Sequence, residues 1–326
     1  MRYVFGPVPS RRLGQSLGID PVPLKTCNWN CVYCQLGRTS HPINERRDYI
    51  PPDEIVAEVK EALDRHGPAA IDWVTFVGSG ETTLHASLGS MIRRVKSLTS
   101  LPVAVITNGS LLKLPEVRRE LLMADAVLPT LDAGSDLLYR KINRPLAELS
   151  FTSLVDGLIA FRQEYSGQLW VEVMLIKGLN DTEASLEGIA GILRRVGPDQ
   201  IHINLPVRPP SEPWVLPASV GCVEQARAIL GPIAQVVPPG AGDLNLADSA
   251  DVRETIVAVV GRHPLAENDL VQALNRWDPT RVRETLEYLR ACGRVQLLER
   301  HGQRFWTAAD ARYVSKPLSQ RHSGHR

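Results

Sequence analysis

Cys27-Asn28-Trp29-Asn30-Cys31-Val32-Tyr33-Cys34 gathers three of the chain's five cysteines into a C-x₃-C-x₂-C run. Thiolates this close on a tight loop can converge on one metal centre. A [4Fe–4S] cluster ordinarily takes four cysteines, and this loop offers three. One iron would then lack a protein ligand and stand open to an outside chelator. The competing reading is a zinc site closed by a fourth ligand, with His41 the nearest candidate. Zinc motifs more often pair two C-x₂-C or H-x₃-H units at a distance. A disulfide framework fits poorly, because three clustered cysteines leave one over.

The flanking sequence adds motifs in order. Gly6-Pro7-Val8-Pro9-Ser10-Arg11-Arg12-Leu13-Gly14 and Ser16-Leu17-Gly18-Ile19 precede the loop. Phe76-Val77-Gly78-Ser79-Gly80-Glu81-Thr82-Thr83-Leu84, Thr107-Asn108-Gly109-Ser110 and Leu131-Asp132-Ala133 follow it. With an aromatic residue just before its third cysteine, the loop resembles the cluster loop of the radical S-adenosylmethionine (SAM) superfamily. The later motifs fall where that superfamily carries its glycine-rich strand and strand-end motifs. The amino-terminal motifs are similar to a subgroup related to the tRNA wybutosine-synthesis enzymes.

Length and charge leave room for this reading. At 326 residues the chain can hold one large domain and a small one. A chain of this size buries roughly three quarters of its unfolded surface, so it needs no disulfide staples. Lys and Arg total 37 against 36 Asp and Glu, so bulk charge demands neither nucleic acid nor an anionic membrane. Prolines and the Arg11-Arg12 pair interrupt the amino terminus before any signal-like apolar core forms. No run approaches 18 apolar residues, so no membrane span is expected. The expectation is a cytoplasmic protein with reduced thiols.

Short valine- and isoleucine-rich runs alternate with segments of helical period. Asp53 is placed as an N-cap, with Ile55, Val56, Val59, Ala62 and Leu63 on one face of the helix that follows. Strands are expected at Leu17–Asp20, 73–77, 103–107, 126–131, 169–176 and 200–205. Helices are expected around 85–97, 152–165, 182–196 and 219–231, with a short strand at Gln235–Val237. This is an α/β pattern with a parallel sheet covered by helices. Six βα-type strands before residue 206 suit the partial (β/α)₆ barrel that the resemblance implies, although periodicity alone also allows an open doubly wound sheet. In both, ligands gather at the carboxyl ends of the strands. Gly78 to Glu81, Asn108, Asp132 and Lys177 follow strands there, whereas Asn204 lies within one.

The resulting domain division is a barrel over residues 1–240 and a winged-helix domain over 248–312. Pro238 to Gly242 reads as a linker, and residues 313–326 as a disordered tail. The second domain rests on helical faces at Val252/Ile256/Val260, Leu270/Ala273/Leu274 and Val282/Leu286/Leu289. A hairpin from Val295 to Thr307, turning at His301-Gly302, follows them.

The resemblance implies a [4Fe–4S] cluster on Cys27, Cys31 and Cys34, with SAM chelating the open iron through its amino and carboxylate groups. Reductive cleavage of SAM would yield a carbon radical, with the electron supplied by a flavodoxin or ferredoxin. Glu81 is a sensible acceptor for the ammonium, and Gly78, Ser79 and Gly80 allow close backbone approach. Asn108 and Asp132 are placed at the ribose hydroxyls, and Tyr33, Lys177 and Asn204 complete the SAM candidates. Each has a bland counterpart: Glu81 as a helix N-terminal carboxylate, Asp132 as a turn residue, and Tyr33 and Trp29 as packing.

Arg11, Arg12, Lys25, Lys141, Arg144 and Arg208 are candidates for an anionic substrate. Arg208, in a proline-rich loop directly after the last barrel strand, is the best of them. Cys222 and Cys292 read as isolated core side chains. The wybutosine enzymes carry three further cysteines for a second cluster and a Schiff-base lysine. The two remaining cysteines cannot build that cluster, so the tricyclic-base reaction is not carried over.

The substrate class stays open among small molecules, nucleosides or tRNA, and peptides. A different class of function is an iron–sulfur winged-helix regulator that binds nucleic acid. From Asp248 onward the chain has 13 Lys and Arg against 10 Asp and Glu, and Glu284 and Glu287 interrupt an arginine patch at Arg281, Arg283 and Arg290. Specific DNA readers usually show a stronger basic footprint. A third class is a zinc-stabilised binding module without turnover.

Overall fold

A computed structural model describes residues 1–238, 251–300 and 302–314. Eight strands form one sheet in chain order: β1 Val4–Ser10, β2 Gly14–Ile19, β3 Trp73–Phe76, β4 Val103–Thr107, β5 Ala126–Pro129, β6 Gln168–Met174, β7 Gln200–Asn204 and β8 Ala234–Val236. β1 and β2 form an antiparallel hairpin, and every later pairing is parallel. Helices α1 Pro52–His66, α2 Leu88–Leu98, α3 Pro115–Leu121, α4 Asp136–Ile142, α5 Phe151–Glu164, α6 Glu183–Val196 and α7 Val220–Leu230 lie between the strands. The two end strands, β1 and β8, do not pair with each other, so the sheet stays open.

Alternation along the strands separates two faces. Leu17, Ile19, Val74, Phe76, Val103, Val105, Val171, Val173, Ile201 and Ile203 join the helices in the main apolar core. On the opposite face, Ala104, Ala126, Leu128 and Trp170 make a smaller cluster with Leu13. Above that floor the inward positions turn polar, with Ser16 bonded to Thr75 at 2.7 Å and Glu172 and Asn204 further along. This is an α/β fold of the partial-barrel kind, with a one-sided helical layer and a concave inner face.

The structure moves several expected boundaries. α1 starts at Pro52, with Asp53 inside its first turn and Pro51 at the cap. Proline suits the first helical position because its missing N–H needs no partner there. The strand expected at 126–131 ends at Pro129, and that expected at 169–176 ends at Met174. β1 is not legible in the sequence because Pro7 and Pro9 interrupt it. It survives as an edge strand, where proline is tolerated.

A second, separate apolar core unites α8 Val252–Val260, α9 Glu267–Ala273 and α10 Pro279–Ala291 with a three-stranded antiparallel sheet. Its strands are β9 Leu265–Ala266, β10 Val295–Arg300 and β11 Gln303–Ala308. Trp306, fully buried, is its largest core side chain. β9, at two residues, is too short to leave a periodic signal. The linker residues 239–242, His301 of the hairpin turn and residues 315–326 lie outside the described residues. Tyr313 and Val314, assigned to a disordered tail, are instead ordered against the barrel. The Tyr313 hydroxyl donates to the Gln35 carbonyl at 2.5 Å and the Val314 N–H to the Ser211 carbonyl at 3.4 Å.

This second unit is fastened to the sheet's open side. Arg300 donates to the carbonyls of Arg208 and Val215, at 3.1 and 2.8 Å. Arg262 donates to the carbonyl of Arg2 at 2.6 Å, and the N–H of Arg38 donates to the carbonyl of Arg312 at 2.6 Å. Among the described residues, no helix is long and apolar enough to cross a membrane.

Candidate metal and nucleotide site

The cysteine loop leaves β2 and lies against the glycine-rich turn that follows β3. The N–H of Glu81 donates to the carbonyl of Thr26 at 2.8 Å, and that of Lys25 to the carbonyl of Ser79 at 2.7 Å. Gly80 permits this closeness: a Cβ there would stand 1.9 Å from the Thr26 carbonyl oxygen. Lys25 itself adopts a left-handed backbone, φ 63°, as the chain turns into the loop.

All three thiols are free and half-buried. The Lys25 ammonium stands 3.1 Å from Cys34 Sγ, and amide groups of Asn143 and Asn108 approach Cys31 and Cys27 at 3.8 and 4.0 Å. Burial, reinforced by the nearby Glu81 charge, pushes the Cys27 thiol up to about 12, and burial likewise raises Cys31. Burial works to lower the Lys25 ammonium, but the three neighbouring sulfurs outweigh it and raise it. Such thiols ionise only when a cation takes the proton's place, so loading would release protons.

Cys27 and Cys34 open into a cavity of about 320 Å³. Tyr33, Lys25, Gly78, Ser79 and Gly80 line it, with Asn204, Glu172, Arg11, Arg12 and Arg208 across from them. Asn204, the last residue of β7, keeps its side-chain amide oxygen buried and unpartnered, while its amide nitrogen donates to Glu172 at 3.3 Å. Glu172 is also ion-paired to Arg12.

The other expected residues stand elsewhere. The Glu81 carboxylate is 1 % exposed and already accepts from Thr83, Thr107 and the N–H of Asn108. It braces the end of β3 to the end of β4. Burial raises it, and those donors pull it back. Asp132 accepts from the Tyr33 hydroxyl at 2.6 Å, Asn143 at 2.7 Å and the Met174 N–H at 2.8 Å, and burial pushes its carboxyl up to about 6. Asn108 spends its amide on Asn28 at 2.8 Å. These three hold the scaffold of the cysteine loop rather than line the cavity.

Three expected cations do not line the cavity. Lys177 is exposed, because β6 ends at Met174 and the chain has turned away before it. Lys141 is exposed at the end of α4. Arg144 is spent on Glu212, which it shares with Arg38.

Sequence reasoning missed Glu172, Asp20, Asn143 and His263. A carboxylate inside the apolar run Leu169-Trp170-Val171-Glu172-Val173 was the available signal, since a buried strand seldom carries an unpaired charge. His263 leaves no local mark.

The donor set can be tested against possible metals. Among the described residues, no three His, Cys, Asp or Glu side chains gather closely enough to share a single ion, and His41 is exposed. A four-iron cube takes one thiolate per iron, so its ligands need not converge on a point. Three free thiols on one loop, a glycine cradle and an unpartnered amide oxygen across a nucleotide-sized cavity therefore fit a cluster and its nucleotide.

Comparison with known proteins agrees. The family described as the radical SAM superfamily matches residues 22–188, just over half of the chain. A UPF0026 protein of Methanocaldococcus jannaschii is 35% identical over 285 residues, covering 85% of this chain and 87% of that protein. A Brachyspira hyodysenteriae protein named GTPase Obg is 38% identical over 90% of this chain, which spans only 43% of that relative's length. A radical SAM methyltransferase from Sphaerobacter thermophilus shares the fold, with TM-score 0.54 and 21% identity over 68% of this chain and 66% of its own. Radical SAM proteins use a [4Fe–4S] cluster and SAM. This chain belongs to the radical SAM superfamily.

Proposed function

We propose that Cys27, Cys31 and Cys34 hold a [4Fe–4S] cluster, that SAM lies between it and Asn204, and that the chain is an enzyme generating a carbon radical on that nucleotide. The observation carrying this reading is the opening of Cys27 and Cys34 into a cavity that Gly78, Ser79 and Gly80 also line. When bound, the cluster supplies an electron to the sulfonium and thereby allows a carbon–sulfur bond to break.

The chain's own residues hold and shelter. Gly78 and Gly80 let backbone approach the nucleotide, and Asn204 offers its unpartnered oxygen to a donor such as the ammonium or a ribose hydroxyl. Glu172, inward on β6, adds a carboxylate, replacing Glu81 as the candidate partner of the ammonium. Tyr33, locked onto Asp132, walls the cavity. Lys25 donates toward Cys34 and balances negative charge at the loop. The electron donor is a flavodoxin- or ferredoxin-type protein.

The order of helices and hairpin supports reading the carboxy-terminal unit as a winged helix, one that serves as a cover for the barrel rather than a reader of nucleic acid. Arg290 and Arg304 pair with Glu287, and Arg304 and Arg283 with Glu267, which cancels much of the basic face. Arg300, in the strand leading to the wing tip, is spent on the barrel. The wybutosine-like amino-terminal motif contributes β1, β2 and the Arg11-Arg12 turn between them.

Anaerobic reconstitution tests the proposal. About four irons and four sulfides per chain are expected, together with SAM binding, and Cys31→Ala should lose both. Stoichiometric zinc without iron–sulfur charge-transfer absorption would overturn it.

A further inference from the structure

A second cavity, of about 120 Å³, lies deeper on the inner face of the sheet, away from the cysteines. Ser16 and Thr75 line its sheet side, and Val259, His263 and Leu265 of the carboxy-terminal unit roof it. Arg11, Arg12, Arg208 and His263 line both this cavity and the larger one.

We propose that this arginine-walled inner cavity binds the substrate by a compact anionic group, a carboxylate or a phosphate, with the rest of the molecule reaching toward the larger cavity. The proposal rests on reading that larger cavity as the cofactor site.

Charge carries the argument. Arg11 makes no ion pair among the described residues. Arg12 pairs with Glu172 yet keeps its Nε buried without a partner. Arg208 donates to the neutral Gln35 oxygen at 2.8 Å, with Asp269 of α9 acting only at longer range. Arg262 adds positive charge from the covering unit, although it is paired with Asp20. Three guanidiniums thus wall this cavity and no carboxylate among the described residues lines it; Glu172 of the larger cavity reaches it only through its pairing with Arg12.

The groups respond as neighbours in a positive field do. Burial and then Arg208, Arg262 and Arg11 push the His263 imidazole down to about 3, so it stands neutral. Burial and then the neighbouring arginines lower Arg12 to about 9 and Arg208 to about 10, both still charged near neutrality. Uncompensated buried charge is costly, and a bound anion would relieve it. Guanidinium forks match the geometry of carboxylate and phosphate.

Shape limits the ligand. Drug-sized ligands occupy roughly 300–1,000 Å³, well above this cavity, and the covering unit closes its outer side. A single anionic group fits there; a polymer does not.

The test is calorimetric titration of the full chain, metal-free and reconstituted, with inorganic phosphate and separately with malonate. Ionic strength is held constant with chloride. Saturable binding of one probe is expected, weakened at least tenfold by Arg208→Gln and by Arg11→Gln, with iron content unchanged. Preference for phosphate would name a phosphomonoester substrate, and preference for malonate a carboxylate. Absence of saturable binding by either probe in protein that loads iron and binds SAM would overturn the inference. So would an Arg208→Gln protein that binds both probes normally or loses SAM instead, since the arginine would then serve the cofactor. Anion binding by a chain that never takes up iron would instead sink the cofactor reading alone.

Discussion

Nε of Arg262 lies 3.3 Å from Oδ2 of Asp20, and Asp20 accepts both the backbone N–H and the hydroxyl of Ser79. The contact is an ion pair without the alignment of a hydrogen bond, since Arg262 Nε has no hydrogen-bond partner. Through it the carboxy-terminal unit holds the glycine-rich turn that the cavity depends on. The covering unit is therefore joined to the site by charge as well as by shape.

Arg262→Met should expose this dependence. It leaves the Asp20 carboxylate buried with no counter-charge, a loss of roughly 3–5 kcal/mol. Urea unfolding measures it, and the double variant with Asp20→Asn should cost less than the two single changes added together. Simple additivity would show that the two residues do not work through each other.

Gly80→Ala should cost about 1–3 kcal/mol as overpacking, because the added methyl meets backbone that has no rotamer to yield. Iron bound per chain after reconstitution should fall with it. Full loading at unchanged stability would mean that the cysteine loop shifts freely.

Glu81→Ala strands the Thr83 and Asn108 N–H groups and two threonine hydroxyls. Each buried group left unsatisfied costs roughly 1–3 kcal/mol. The expected result is a destabilised chain, with Glu81→Gln milder. A SAM-affinity defect at wild-type stability would return Glu81 to the nucleotide.

Asp132 gives a pH signature. Burial raises its carboxyl from 3.8 to about 6, so the folded chain favours the protonated form. That contribution is complete below about pH 4 and is lost as pH climbs through about 6. The shift corresponds to on the order of 3 kcal/mol. In the metal-free chain, the stability of wild type relative to Asp132→Asn should fall by that order between pH 4 and pH 7. A constant difference would contradict the buried-carboxyl account.

Duplex DNA or tRNA should bind weakly, with a shallow dependence on salt, because the arginines of α10 and β11 face carboxylates. Tight binding with a steep salt slope would give the carboxy-terminal unit a nucleic-acid partner.

The site was legible wherever chemistry sits close in sequence. The three cysteines and Gly78 to Gly80 stand out by spacing, whereas Asn204 sits inside an apolar strand run and shows no such mark. Glu81 and Asp132 were visible as carboxylates, but a sequence does not show which donors surround them. Lys177 went astray through a strand boundary two residues too long.

What the chain determined by itself was local and periodic: a cysteine run able to hold a cluster, and alternating apolar segments that require a parallel sheet under helices. Tertiary structure alone decided that Arg11, Arg12, Arg208 and His263, spread over more than 250 positions, meet at one wall. It also decided that a second unit closes over them. Spacing encodes neighbours along one strand or loop, whereas long-range contacts follow from how the whole apolar surface is buried at once. No short stretch of residues carries that information.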